Sequence, residues 1–181
     1  MSAFLRRQLA DYVEYHRDPM NCALHVVGIV ILFLGAILPL SLWPVTVFGL
    51  QINVGVISAA PVLIYWILLD VPIGLAIAAA AALLLFTGAA IASHASVTVV
   101  WAISIVLILI GVALQIIGHQ VFERRQPALM DNPPHLLLGP VFVMAKLFIS
   151  LGFRDDLAAI IQKGPNSVYQ HQSQGGVQQD R

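Results

Sequence analysis

Two places in this sequence carry histidine, carboxylate and amide side chains at helical spacing, and each lies where a long apolar run begins or ends. In one, Gln115, His119 and Glu123 stand four apart within a stretch that closes on Arg124-Arg125. On a helix continuing from Thr98 they share a face, so an imidazole and a carboxylate are presented together as half of a metal site, with the carboxylate free for acid-base work. The alternative at that spacing is a helix that ends at the lipid boundary, with Glu123 paired to a neighbouring arginine and His119 at headgroup level. At the other place, Asp18 caps and Pro19 starts a helix on which Asn21, His25 and Gly28 share a face, with His16 just ahead of it. A polar face at the mouth of an apolar helix needs a partner, and Gly28 allows one to come close.

The elements that must position these residues are membrane spans. The chain has 181 residues, 59% hydrophobic and 10% charged, with a mean hydropathy of +0.88; soluble domains carry roughly 25% charged residues. From Pro19 to Phe122 the only formal charge is Asp70, and the other seventeen charged residues lie outside that interval. The composition predicts an all-α, polytopic membrane bundle, organised as a single membrane domain over residues 1–163 with a disordered tail over 164–181. Net charge is zero and no basic run occurs, which speaks against a nucleic-acid partner. The single cysteine, Cys22, excludes an internal disulfide and a thiolate metal cage.

Four spans are expected: Leu24–Trp43, Val54–Leu69, Ile73–Ala92 and Val97–Ile117. The second is short and holds Pro61, which predicts a kinked or partly re-entrant helix. Pro44–Asn53 reads as an uncharged turn. Ahead of the spans, Leu5, Leu9, Tyr12 and His16 fall on one face, the pattern of an N-terminal interfacial helix, and Asp11, Glu14 and Asp18 argue against a cleavable signal peptide. After them, Leu136–Phe153 is broken by Gly139-Pro140 and carries Lys146, which predicts a half-buried C-terminal helix that floors or covers a lipid-access groove. His135 and His171 read as surface residues.

Arg6, Arg7 and Arg17 precede the first span, Arg124 and Arg125 follow the fourth, and no Lys or Arg lies between. By the positive-inside rule both termini are cytoplasmic, which requires an even number of spans. His16, His25 and His119 then lie near one membrane face, and His94 lies at the other, about 30 Å away. The three imidazoles converge only if the first and fourth spans pack together, for which Gly28 and Gly35 face Gly111 and Gly118.

Tyr15-His16, Asn21, His25, Gly118-His119, Phe122-Glu123, Pro127-Ala128-Leu129, Asp131-Asn132, Gly139-Pro140 and Leu151-Gly152-Phe153 together resemble the membrane family of Fe(II)-dependent 2-hydroxy fatty acid dioxygenases of fatty acid α-oxidation and phytosphingosine breakdown. The resemblance runs from about Phe4 to Phe153. It implies removal of one carbon from a long-chain 2-hydroxy acid with O₂ at the bilayer, and iron held by His16, His25 and His119. His94 matches a further histidine of the family, and Lys146 stands where some relatives carry an acidic residue. Imidazole and carboxylate ligands suit Fe(II). Arg124 or Arg125 would receive the substrate carboxylate or serve as positive-inside anchors, and Tyr12, Tyr15 and Asn21 would orient ligand histidines. A bis-histidine haem protein, or another metal-binding membrane protein without oxygenase activity, would also place His25 and His119 on facing helices. A transporter would put its polar residues near mid-membrane instead.

Overall fold

The computed structural model describes residues 2–124 and 133–163. Arg125, the Pro127-Ala128-Leu129 and Asp131-Asn132 motifs, His171 and the expected tail lie outside the described residues. Helix α1 (Ala3–Val13) is followed by α2 (Pro19–Leu40), a hairpin of β1 (Pro44–Val47) and β2 (Leu50–Asn53), α3 (Val54–Leu69), α4 (Val71–His94) and α5 (Val97–Ile117). A π-helical turn, Gly118–Glu123, extends α5. A 3₁₀ turn at Pro133–Leu137 leads into α6 (Gly139–Ser150) and α7 (Asp155–Lys163).

Among the described residues, three helices are long and apolar enough to cross a membrane: Pro19–Leu40, Val71–His94 and Val97–Glu123. The fourth expected span, α3, is an unbroken helix through Pro61 but has only 16 residues, about 24 Å against a ~30 Å hydrocarbon core. The architecture is an all-α multi-pass membrane bundle. The short apolar helix α3 is paired to α4 through the Asp70 turn, where Asp70 caps α4 by accepting from Ile73 N–H at 3.2 Å.

The Pro44–Asn53 stretch is a two-stranded antiparallel hairpin rather than a plain turn. Phe48 and Gly49, at φ 49° and 80°, form its tip, the double positive φ that matches strand twist in a two-residue hairpin. Phe48 is fully exposed there, and Trp43 meets Trp101 edge to face at 6.5 Å at the same end of the bundle.

As the spacing of glycines predicts, α2 packs most extensively on α5. A Cβ on Gly28 would lie 3.3 Å from Gly111 O, and one on Gly35 would lie 3.1 Å from Leu107 Cβ, so these backbones approach as only glycine permits. Ser104 Oγ seals the crossing by donating to Gly35 O at 2.7 Å. At the opposite end from the hairpin, α1, α6 and α7 form a cap. Leu5, Leu9 and Tyr12 of α1 are buried with Val141, Phe142 and Ala145 of α6 and Leu157 and Ile160 of α7. The apolar stripe of the N-terminal helix is therefore covered by protein, and α6 is half buried. Trp66 Nε1 ties α3 to this cap by donating to Leu137 O at 2.8 Å.

Asp70, the lone charge of the apolar interval, receives both terminal nitrogens of Arg154, Nη1 to Oδ1 at 3.0 Å and Nη2 to Oδ2 at 3.1 Å. Burial alone would raise the Asp70 pKa. Hydrogen bonds from Arg154 and Ile73, together with the guanidinium charge, outweigh it and hold the carboxyl below its ordinary value.

Candidate metal centre

His16 follows α1, His25 lies on the second turn of α2, and His119 lies on the π turn after α5. All three are buried. Their rings lie 4.4 Å (His16–His25), 4.7 Å (His25–His119) and 5.0 Å (His16–His119) apart, each pair near perpendicular. One nitrogen from each lies within 4.8 Å of one from each of the others.

Local hydrogen bonds set which nitrogens face inward. His16 Nδ1–H donates to Tyr12 O at 3.0 Å, and His25 Nδ1–H donates to Asn21 O at 3.0 Å, each to the carbonyl four residues back. A carbonyl only accepts, so in both rings Nδ1 carries the proton and Nε2 keeps its lone pair. His16 Nε2 and His119 Nδ1 are buried without a hydrogen-bond partner among the described residues. Buried ring nitrogens normally have partners, and two that lack them beside a third free lone pair form a donor set suited to a metal ion. Burial, and then the neighbouring His25, push the His16 pKa down to about 3, which keeps this imidazole a neutral base.

Asp18, Asn21 and Glu123 form the hydrogen bonds that hold the start of α2 and the π turn together beside this cluster. Asp18 caps α2, accepting from Met20 N–H at 2.7 Å and Asn21 N–H at 3.1 Å, with Pro19 in the first turn. Glu123 does not join the imidazoles. Its Oε1 accepts from Arg17 N–H and its Oε2 from Asp18 N–H, both at 3.0 Å, and Oε2 also takes Asn21 Nδ2 at 3.1 Å. The reason is the partners it finds: the backbone N–H groups of Arg17 and Asp18, at the start of α2, take the carboxylate at the edge of the cluster. Asn21 Nδ2 also donates to Tyr15 O at 3.2 Å. A Cβ on Gly118 would overlap Asn21 Oδ1 and lie 3.4 Å from His25 Nδ1, so glycine there lets α5 close onto these supports.

Tyr12 stacks on His16 with ring centroids 4.1 Å apart and planes 9° from parallel. Tyr15 acts through its carbonyl. His94 is exposed at the far end of α4, bonded through Nδ1 to Ala90 O at 2.8 Å, and the structure does not bring it to the cluster. Arg124 is exposed in a left-handed conformation that ends the π turn, and it does not line the cavity described next. Lys146 Nζ lies 5.2 Å from the Phe142 ring centroid, a cation–π contact on the outer side of the cap.

A cavity of about 330 Å³ opens beside the cluster. His16, His25, His119, Tyr12, Gln115 and His135 supply its polar lining, and Ile29, Leu32, Val112, Ile116 and Leu136 its apolar lining. His135 is thus a correction to the sequence reading. It is buried, 5.7 Å edge-on from the Tyr12 ring, because the 3₁₀ turn carries it under the cap rather than outward. The apolar run Leu136-Leu137-Leu138 directly after it was the available signal.

A family model described as 2-hydroxy-palmitic acid dioxygenase Mpo1-like matches residues 2–151. The chain is 34% identical over 160 residues to the 2-hydroxy-palmitic acid dioxygenase MPO1 of Saccharomyces cerevisiae, covering 87% of each chain. No solved structure gives a significant match.

Proposed function

Since the chain belongs to the Mpo1-like 2-hydroxy-palmitic acid dioxygenase family, we propose that it shortens long-chain 2-hydroxy fatty acids by one carbon, with O₂ as oxidant and Fe(II) held by His16, His25 and His119. The balance is one O₂ per turnover: the C1–C2 bond breaks, C2 passes from alcohol to carboxyl, and C1 leaves as CO₂ with one water. The supporting observation is the buried cluster of three imidazoles, two with ring nitrogens that no described residue satisfies. Bound there, iron supplies the oxygen-activating chemistry.

The chain's own residues do the rest. The Tyr12 and Asn21 carbonyls fix the tautomers of His16 and His25, so that Nε2 faces inward. Glu123 acts as a positioning residue, fastening the π turn that carries His119 to the start of α2, which carries His25. Ile29, Leu32, Val112 and Ile116 offer the acyl chain a wall without competing polar groups. The head group then sits at the capped end of the bundle and the chain runs toward the bilayer interior. Arginine placement supports a cytoplasmic location for that end and for both termini.

Purified protein in detergent, analysed for metals and by optical spectroscopy, tests the assignment. The expected result is iron near one per chain, no Soret band, and O₂-dependent conversion of 2-hydroxypalmitate to the acid one carbon shorter. An intense Soret band would replace this reading with a bis-histidine haem protein.

A further inference from the structure

Gln115 is a polar side chain in an apolar span that neither packing nor the metal cluster accounts for. It lies one turn deeper in the bundle than His119, about 6 Å along the helix axis, and lines the same cavity. It makes no hydrogen bond among the described residues, whereas Ser104 on the same helix is satisfied by Gly35 O. Its amide lies over Gly28 of α2, where a Cβ would be 3.1 Å from Nε2. The missing side chain on α2 makes the room that the amide occupies. Around it and deeper still the wall is Ile29, Leu32 and Val112. An unsatisfied amide in a membrane span is costly, and one that faces a cavity is satisfied by what enters the cavity.

We propose that Gln115 hydrogen-bonds the 2-hydroxyl group of the substrate and is the residue by which the site distinguishes 2-hydroxy from unhydroxylated fatty acids; this rests on the substrate class proposed above. From the capped end inward, the cavity presents the imidazole cluster, then Gln115, then aliphatic wall. A 2-hydroxy acid entering tail first presents, in the same order, its carboxylate, its hydroxyl and its chain. The chemistry agrees with the order. A carboxylate only accepts hydrogen bonds, whereas a hydroxyl both donates and accepts, as does a primary amide. An unhydroxylated acid would leave the amide unpaired against methylene groups, the situation in which polar sites discriminate most strongly.

Equilibrium binding of 2-hydroxypalmitate and of palmitate to the detergent-solubilised, iron-loaded full chain under anaerobic conditions tests this, with Gln115→Met as the near-isosteric variant. The parent protein should prefer the 2-hydroxy acid. In Gln115→Met the preference should fall about tenfold, the size of one neutral hydrogen bond, through weaker binding of the 2-hydroxy acid, tighter binding of palmitate or both, with iron content unchanged. Equal weakening of both acids would place the amide on the carboxylate and overturn the inference. An unchanged preference in folded, iron-loaded Gln115→Met would also overturn it. Should that variant not fold, Gln115→Leu decides: it also removes the amide while keeping the span apolar, so the preference should drop, and an undiminished preference refutes the assignment. A parent protein that binds both acids alike would overturn the substrate reading itself, and this inference with it.

Discussion

Asn21 Nδ2 donates to Glu123 Oε2 at 3.1 Å, joining residues 102 positions apart in the chain. The same carboxylate takes the backbone N–H groups of Arg17 and Asp18, and the Asn21 carbonyl takes His25 Nδ1–H. Two imidazole-bearing segments are thus fastened through one acidic group.

Glu123→Gln keeps the volume but offers one acceptor oxygen where two are used, and it turns an NH₂ toward backbone donors. Leaving such groups unsatisfied costs about 1–3 kcal/mol. The expected outcome is a lower Tm in detergent, with iron per chain reduced but not abolished. A Glu123→Gln protein with full stability and full iron but no turnover would instead put the carboxylate in the chemistry.

Replacing His16, His25 or His119 singly by alanine should abolish iron retention, since each provides an inward nitrogen that water cannot replace in place or geometry. His94→Ala should retain iron, because His94 is exposed and spends its Nδ1 on Ala90 O. Atomic analysis of the four purified variants decides the matter, and iron loss in His94→Ala would require a different ligand set.

Much of this arrangement was legible in the sequence because membrane spans impose strong patterns. Four glycines on two helices announced the α2–α5 crossing, and Asp18-Pro19 announced the start of α2. What was missed depended on local geometry or on distant partners. Glu123 sits on the helical face expected of it, but the backbone N–H groups of Arg17 and Asp18 that take its carboxylate lie 106 and 105 positions away in the chain. Pro133-Pro134 suggested an exposed His135, yet the turn they start tucks it under the cap. The Phe48-Gly49 hairpin lacks the usual Asn-Gly or Asp-Gly signal. Asp70 stands out in the sequence as the lone charge of the apolar interval and calls for a cation, but the sequence does not single out Arg154, which lies 84 positions away.

The Arg154–Asp70 pair fastens the α3–α4 turn to the corner between α6 and α7. Arg154→Ala removes the bidentate cation of a buried carboxylate and should cost about 3 kcal/mol, the lower end for a broken buried pair because Arg154 is 15% exposed and Ile73 N–H still donates to Asp70. Since the Asp70 pKa is lowered on folding, its contribution is complete above the unfolded carboxyl value of about 3.9 and fades as pH falls below it through the folded value. Thermal unfolding from pH 7 down to pH 3 should show a loss of Tm confined to the acid end in the parent and reduced in Asp70→Asn.

Cysteine labels at Gln51 and Ser96 should report the same membrane face, and labels at Ser2 and Gly175 the opposite, cytoplasmic one. Trp43 meets Trp101 at the end of the bundle away from the cap, which places the hairpin and the α4–α5 turn together. A C-terminus accessible from the hairpin side would break the arrangement of α3 as a short second crossing.

Chain length should govern turnover, because the imidazole cluster and the aliphatic wall belong to one cavity. With the head group at the capped end, as proposed, every methylene added to the acyl chain would extend along Ile29, Leu32 and Val112 toward the bilayer interior. Each methylene moved out of water there contributes about 0.8 kcal/mol, so removing two should lower kcat/KM by roughly tenfold while the chain remains within the cavity. The loss should fall mainly on KM, since contacts far from C1 and C2 are the same in the ground state and the transition state. A series of 2-hydroxy acids from 8 to 18 carbons, assayed in one detergent with monomer concentrations measured, gives the slope. A flat profile, with a short water-soluble 2-hydroxy acid turned over as fast as a long one, would show that the apolar wall does not receive the chain. Chain shortening that continues under strict anaerobiosis would remove O₂ from the reaction and, with it, the dioxygenase assignment of the site.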